Sequence, residues 1–154
     1  MLVTTNYRVN PQTSGENQAM DIRPASPADR DPVIALWTAA GLTRPWNDPA
    51  QDFDRALTGP SSAVLVGEAD GVLVATAMVG HDGHRGWVYY VAVRENARGR
   101  GHGTAIMRVA EAWLRDRAIP KVQLMVRDDN AAAVGFYEAL GYEPAAVRVL
   151  GRRL

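Results

Sequence analysis

Apolar positions along this chain recur at two spacings, and the two alternate. Residues 20–25, MDIRPA, alternate as a short strand. Ser26-Pro27-Ala28-Asp29 then reads as a helix start, with a capping Ser, Pro in the first turn and an acid three residues after the cap. Val33, Ile34, Trp37 and Ala40 follow at helical spacing, and Gly41 closes that helix. Residues 42–49 read as a loop and 49–57 as a short helix. Strands are predicted at 62–68 and 72–81, joined by Ala69-Asp70-Gly71, an Asp-Gly hairpin signal. A turn at 81–86 leads to a strand at 87–93, rich in β-branched and aromatic residues. Ile106, Val109, Ala110, Trp113 and Leu114 mark an amphipathic helix that Pro120 is expected to stop. A strand at 121–127 comes next. Asn130 then caps a helix carrying Val134, Tyr137 and Leu140, with Gly141 just past its end. A last strand is predicted at 143–150.

The order is β-α-α-β-β-β-α-β-α-β. Three successive antiparallel strands before a strand–helix–strand crossover predict an α/β mixed sheet with helices on both faces, not a doubly wound parallel sheet. Residues 1–19 are polar and show no period, so they read as a flexible tail before one domain at 20–154. Met20 is a candidate natural start.

Composition narrows the function. The chain has 154 residues, one domain's length. No apolar run is long enough to span a membrane, and the first residues lack the pattern of a secretory signal; a cytoplasmic location is expected. Lys+Arg and Asp+Glu are both 17, which excludes the global basic excess of a bulk nucleic-acid binder. There is no Cys, so disulfides, thiolate nucleophiles and Cys-held metals are excluded together. With only three His, no metal site is expected.

The segment Arg98-Gly99-Arg100-Gly101-His102-Gly103-Thr104 carries the chemistry. It lies between a strong strand and a strong helix. Its glycines let backbone approach a ligand, and the helix start offers N–H groups that suit phosphate. A solvated Gly-rich turn is the plain alternative. Two phosphate motifs fail on spacing. The dinucleotide fingerprint would need Gly where Thr104 or Ile106 stands, and a P-loop needs a Lys that is absent before residue 121. From Arg94 to Arg108 four Arg face a single acid, Glu95, so a chain without net charge is locally basic at this helix start.

Arg98-x-x-Gly101-x-Gly103, directly after Val91-Ala92-Val93, resembles the acyl-CoA pyrophosphate loop of the GCN5-related N-acetyltransferases (GNAT). Asn130 and the run Phe136-Tyr137-Glu138-Ala139-Leu140-Gly141-Tyr142 resemble that family's C-terminal motif. The resemblance spans about residues 20–150. Residues 44–49, 83–86 and 89–90 further resemble its YpeA-type subgroup. The resemblance implies a mostly antiparallel sheet with one splayed parallel strand pair, and acetyl-CoA as cosubstrate.

It also implies roles. Backbone groups of Tyr90, Val91 and Val93 would pair with the pantetheine arm, and the Val91 N–H at a β-bulge would receive the acetyl oxygen. N–H groups of Gly99, Arg100, Gly101, His102, Gly103 and Thr104 would hold the pyrophosphate, with Arg98 orienting the loop or touching phosphate. Asn130 would bond the pantetheine arm, and Tyr137 would protonate the departing thiolate. Asn130 also reads as a plain N-cap, and Tyr137 as a core tyrosine. Many members of the family place a Glu base where this chain has Tyr89. Candidates for that task are Asp48, His81, Asp82, or water held by Tyr89; Asp48 also reads as a helix cap. Trp46, Asp48 and His81 are the candidate acceptor-side residues.

The function expected is direct acetyl transfer from acetyl-CoA to a primary amine of a small molecule or protein, since an acyl-cysteine intermediate is excluded. The alternative is a catalytically weak acyl-CoA-binding module. Neither nucleic acid nor membrane is an expected partner, and a homodimer is compatible with the pattern.

Overall fold

The computed structural model describes residues 7–9 and 19–154. The chain divides into two units, Met1–Leu124 and Met125–Leu154. The first holds a six-stranded sheet in the order β1-β2-β3-β4-β5-β6. Its strands are β1 (Tyr7–Val9), β2 (Met20–Pro24), β3 (Ser62–Ala69), β4 (Val72–His81), β5 (Gly86–Val93) and β6 (Val122–Gln123). Neighbours are antiparallel up to β5, and β5 pairs with β6 in parallel. Of the stretch read as a tail, Tyr7–Val9 pairs with β2 at the edge of the sheet. The rest of 1–18 lies outside the described residues, as does any test of Met20 as a start.

The expected α/β mixed sheet is therefore observed. β3 and β4 bury consecutive residues, 64–67 and 73–77, as strands do when both faces are covered. Helices α1 (Arg30–Ala39) and α2 (Pro49–Thr58) place Val33, Leu36, Trp37, Phe53 and Ala56 against Val64 and Val66. On α3 (His102–Arg115), Ile106, Val109, Ala110, Trp113 and Leu114 are all buried, the face that the spacing predicts. The chain enters α1 through a short 3-10 turn at Pro27–Asp29. There the Asp29 carboxylate accepts from the Ser26 N–H (2.7 Å) and from Arg23 of β2 (2.7 Å). The β3–β4 hairpin turns on Asp70 (φ +50°) and Gly71 (φ +74°), both left-handed as a tight primed turn requires.

Three boundaries differ from expectation. The strand predicted at 121–127 pairs only over Val122–Gln123. No strand forms at 143–150, where Val147 and Val149 are exposed. Alternating apolar residues measure fit to a pleated surface, not the presence of a pairing neighbour. Helix α3 ends well before Pro120, because Ala118 takes a left-handed conformation (φ +57°) and the Ile119 N–H reaches back to the Leu114 carbonyl. An L-residue pays roughly 1 kcal/mol to sit there. Ala118→Gly is expected to stabilise the protein by about that amount and raise Tm by about 2–4 °C. Thermal unfolding followed by circular dichroism checks it.

The second unit holds α4 (Ala131–Ala139). Asn130 caps it through Oδ1 to the Ala133 N–H (3.1 Å), and Gly141 (φ +91°) terminates it. Both ends are as the sequence predicts. Among the described residues no helix is long and apolar enough to cross a membrane.

Candidate active site

The end of β5 is distorted in a particular way. Thr76 pairs with Ala92 and Met78 with Tyr89, so Tyr90 and Val91 together oppose one residue of β4. That is a β-bulge. Tyr90 sits at φ +52°, a conformation a bulky residue adopts only when its surroundings force it. Three contacts do so. Its ring stacks on the buried Trp37 (centroids 4.0 Å apart, 16° between planes). Its carbonyl accepts from Thr76 Oγ1 (3.1 Å), which itself accepts from Trp37 Nε1 (3.0 Å). Its hydroxyl donates to Asp52 Oδ2 (2.7 Å). Trp37 and Thr76 are both fully buried, so the clamp is rigid. On the other side, β6 leaves β5 after Trp87, and β5 runs on to Val93 without it. The bulge and the parting of a parallel pair match what the family resemblance implies.

The glycine loop follows. Gly99 (φ +74°) and Gly101 (φ +78°) are left-handed, and Gly101 caps α3. The first bond of that helix is Ala105 N–H to the Gly101 carbonyl (3.0 Å). The N–H groups of His102, Gly103 and Thr104 therefore precede the helical ladder and point out of its positive end. Arg98 Nε donates to the Val93 carbonyl (3.2 Å), which ties the loop to the end of β5. Arg94 is turned away, with both Nε and Nη2 on the Leu73 carbonyl.

The His102 side chain is buried. Its imidazole is 3% exposed, and its buried Nε2 has no hydrogen-bond partner. Burial, helped by the Arg100 charge, holds its pKa below the ordinary histidine value of 6.5. The unfolded chain thus takes the proton first. This stability is complete above that value and is lost as pH falls through it. His102→Leu removes an unsatisfied buried atom and is expected to stabilise the fold by about 1–3 kcal/mol. Its advantage over the wild type is expected to widen between pH 7.5 and 5.5. Urea unfolding at the two pH values tests both points.

Beside the bulge lies a cavity of about 560 Å³. Tyr89 and Tyr90 form one wall, Leu42, Ala56 and Met78 supply apolar surface, and Asn47 and Ser62 add neutral polar groups. Two charged residues of α2, Asp52 and Arg55, complete it. Of the residues named from the sequence, Tyr89 and Tyr90 line this cavity. Tyr90 brings its side chain to it as well as its backbone to the bulge. Trp46, Asp48 and His81 do not line it. Asp48 caps α2, accepting from Ala50 N–H (2.9 Å) and Gln51 N–H (3.2 Å) through one oxygen and from Gln51 Nε2 (3.1 Å) through the other. His81 Nδ1 accepts from the Gly83 N–H (3.2 Å). Trp46 is 57% exposed.

The base candidates fare unevenly. Asp82 takes the Arg85 (2.7 Å) and His84 (2.9 Å) N–H groups, which hold its carboxyl at about 2 and make it a weak base. Burial, then the Asp82 charge, push the Tyr89 phenol up, so it stays protonated and is a poor proton acceptor. Burial and then the Asp52 bond likewise raise Tyr90. Asp52 and Arg55 were missed in the sequence. A faint signal existed, since Asp52 stands one turn before the buried Ala56 and so flanks the buried face of α2.

In the second unit Tyr137 is half-buried, edge-on to Phe136 (5.0 Å) and Tyr142 (5.7 Å). Burial raises its pKa above the ordinary value of 10.0.

The chain is similar to known proteins in sequence and in fold. Residues 32–142 match the Acetyltransferase (GNAT) family. The acetyltransferase YE1169 of Yersinia enterocolitica serotype O:8 / biotype 1B is 44% identical over 135 residues, 88% of this chain and 96% of the relative. The aminoglycoside N-acetyltransferase AAC(6')-Iy, solved with CoA, superposes with a TM-score of 0.76 at 18% identity, over 94% of this chain and 99% of that one. The glucosamine-6-phosphate N-acetyltransferase of Arabidopsis thaliana gives 0.66 at 22%, over 86% and 97%.

Proposed function

The chain belongs to the GNAT acetyltransferase family, and from that premise we propose that it moves an acetyl group from acetyl-CoA directly to a primary amine of a small molecule. The observation that carries this reading is the cavity beside the clamped bulge at Tyr90–Val91. Its volume of about 560 Å³ suits a metabolite-sized acceptor. The two left-handed glycines and the N–H groups from His102 to Thr104 fit the pyrophosphate of acetyl-CoA, with Arg98 as the strut of the loop.

In this reading the Val91 N–H donates to the acetyl oxygen as it gains charge. Tyr90 and Val93 offer backbone groups to the pantetheine arm, and Asn130 adds its carboxamide. The attacking amine is mostly ammonium at neutral pH and must shed a proton before attack. Water beside Tyr89 takes that proton. The amine then forms the C–N bond, the C–S bond breaks, and Tyr137 gives its proton to the departing thiolate. The likeness to the YpeA-type subgroup belongs to this proposal.

Calorimetry with acetyl-CoA, followed by thiol release over a panel of primary amines, tests the reading. Binding with turnover of at least one small amine is expected. Binding with no thiol release on any amine would instead favour the acyl-CoA-binding module.

A further inference from the structure

The cavity carries one carboxylate and one guanidinium, both from α2, and they do not pair with each other. Asp52 and Arg55 stand three residues apart, a spacing at which opposite charges on a helix ordinarily meet. Instead Asp52 holds the Tyr90 hydroxyl (2.7 Å), and Arg55 Nη2 donates to Gln51 Oε1 (3.0 Å). Among the described residues no ion pair joins the two. A cavity with a carboxylate alone would suit a plain diamine. The guanidinium beside it repels a second ammonium group and attracts a carboxylate.

Distance along Tyr90 adds a second constraint. The ring is rigid and its far end is on Asp52, while its backbone forms the bulge. The group held by Asp52 therefore lies a full tyrosine side chain from the Tyr90 backbone, and is not the nitrogen that reacts at Val91.

We propose that the cavity receives a small diamino acid, with its α-ammonium on Asp52 and its α-carboxylate on Arg55, so that the side-chain amine reaches the bulge and is acetylated. This rests on the acetyltransferase reading above. Leu42, Met78 and Tyr89 supply apolar surface for the connecting methylenes. The side-chain nitrogen forms the new C–N bond after losing a proton to water. The C–S bond breaks, its electron pair stays on sulfur, and the CoA thiolate is protonated by Tyr137, which water reprotonates.

The test measures thiol release by the full chain with acetyl-CoA and four acceptors. Lysine and ornithine carry both head groups, cadaverine lacks the carboxylate, and 6-aminohexanoate lacks the α-amine. The expected kcat/KM for lysine or ornithine exceeds that of each truncated amine by about tenfold or more, the worth of a hydrogen bond to a charged group. Arg55→Ala is expected to erase the preference over cadaverine, and Arg55→Lys to restore part of it. Arg55 is exposed, so neither change threatens folding. Equal use of lysine and cadaverine, or a preference untouched by Arg55→Ala, overturns the inference. So does thiol release from other amines but from neither diamino acid, and in both cases the acetyltransferase reading survives. Thiol release from no amine overturns that reading and the inference together.

Discussion

Gly101→Glu is expected to weaken acetyl-CoA binding about a hundredfold or more, because like charges placed together cost several kcal/mol and 1.4 kcal/mol is tenfold. Gly101 caps α3 at φ +78°, immediately before the N–H groups of His102, Gly103 and Thr104. A carboxylate at that point takes those N–H groups for itself and repels the pyrophosphate. It also strains the backbone, since only glycine adopts that conformation without penalty. Gly101→Ala separates the two effects. It carries the strain of roughly 1–2 kcal/mol without the charge, and is expected to bind about tenfold more weakly than the wild type. Calorimetry with acetyl-CoA reads all three proteins. If the Glu variant bound like the wild type, this loop would not be the pyrophosphate site.

That loop was legible in the sequence because its signal is local. Glycines at fixed offsets before an amphipathic helix dictate backbone conformation within a few residues, and Gly99 and Gly101 adopt the conformations this demands. The same holds for Asp70-Gly71, for Gly41 and Gly141, and for the buried face of α3. Features that depend on distant partners were hidden. The bulge at Tyr90 was expected only through family resemblance, and the clamp of Trp37, Thr76 and Asp52 that sustains it joins four separate elements. Gly86 reads as a turn glycine, yet it opens β5, where a Cβ would collide with the Leu114 side chain of α3.

The acceptor side shows the same division. Trp46 and Asp48 stand out in the sequence as an aromatic and an acid in a Pro-bounded loop. Asp48 is occupied as the α2 cap, and the cavity lies against the following turns of that helix, at Asp52 and Arg55. Which flank of a short helix meets a cavity depends on how the helix packs, and the spacing of its apolar residues leaves two flanks open. The charge pattern repeats the point. Arg94, counted in the basic cluster, spends its guanidinium on the Leu73 carbonyl, so the cluster is smaller at the loop than the sequence suggests.

Tyr137→Phe is expected to lower kcat about a hundredfold or more, the usual range for a general acid, with acetyl-CoA affinity nearly unchanged. The reasoning rests on the hydroxyl alone. The ring contacts with Phe136 and Tyr142 persist in the variant, so α4 keeps its packing. Burial raises the Tyr137 pKa above 10.0, which keeps the phenol protonated throughout the neutral range. An acid must hold its proton until the thiolate leaves, and a phenol with a raised pKa meets that condition. The wild-type kcat is therefore expected to show no loss assignable to this group on the alkaline side until pH exceeds 10. A tyrosine serving only the packing of the second unit predicts the opposite pattern, with kcat intact and any change confined to unfolding. Measuring kcat by thiol release, binding by calorimetry and stability by urea unfolding on one pair of proteins separates the two roles. A catalytic hydroxyl moves the first and spares the others.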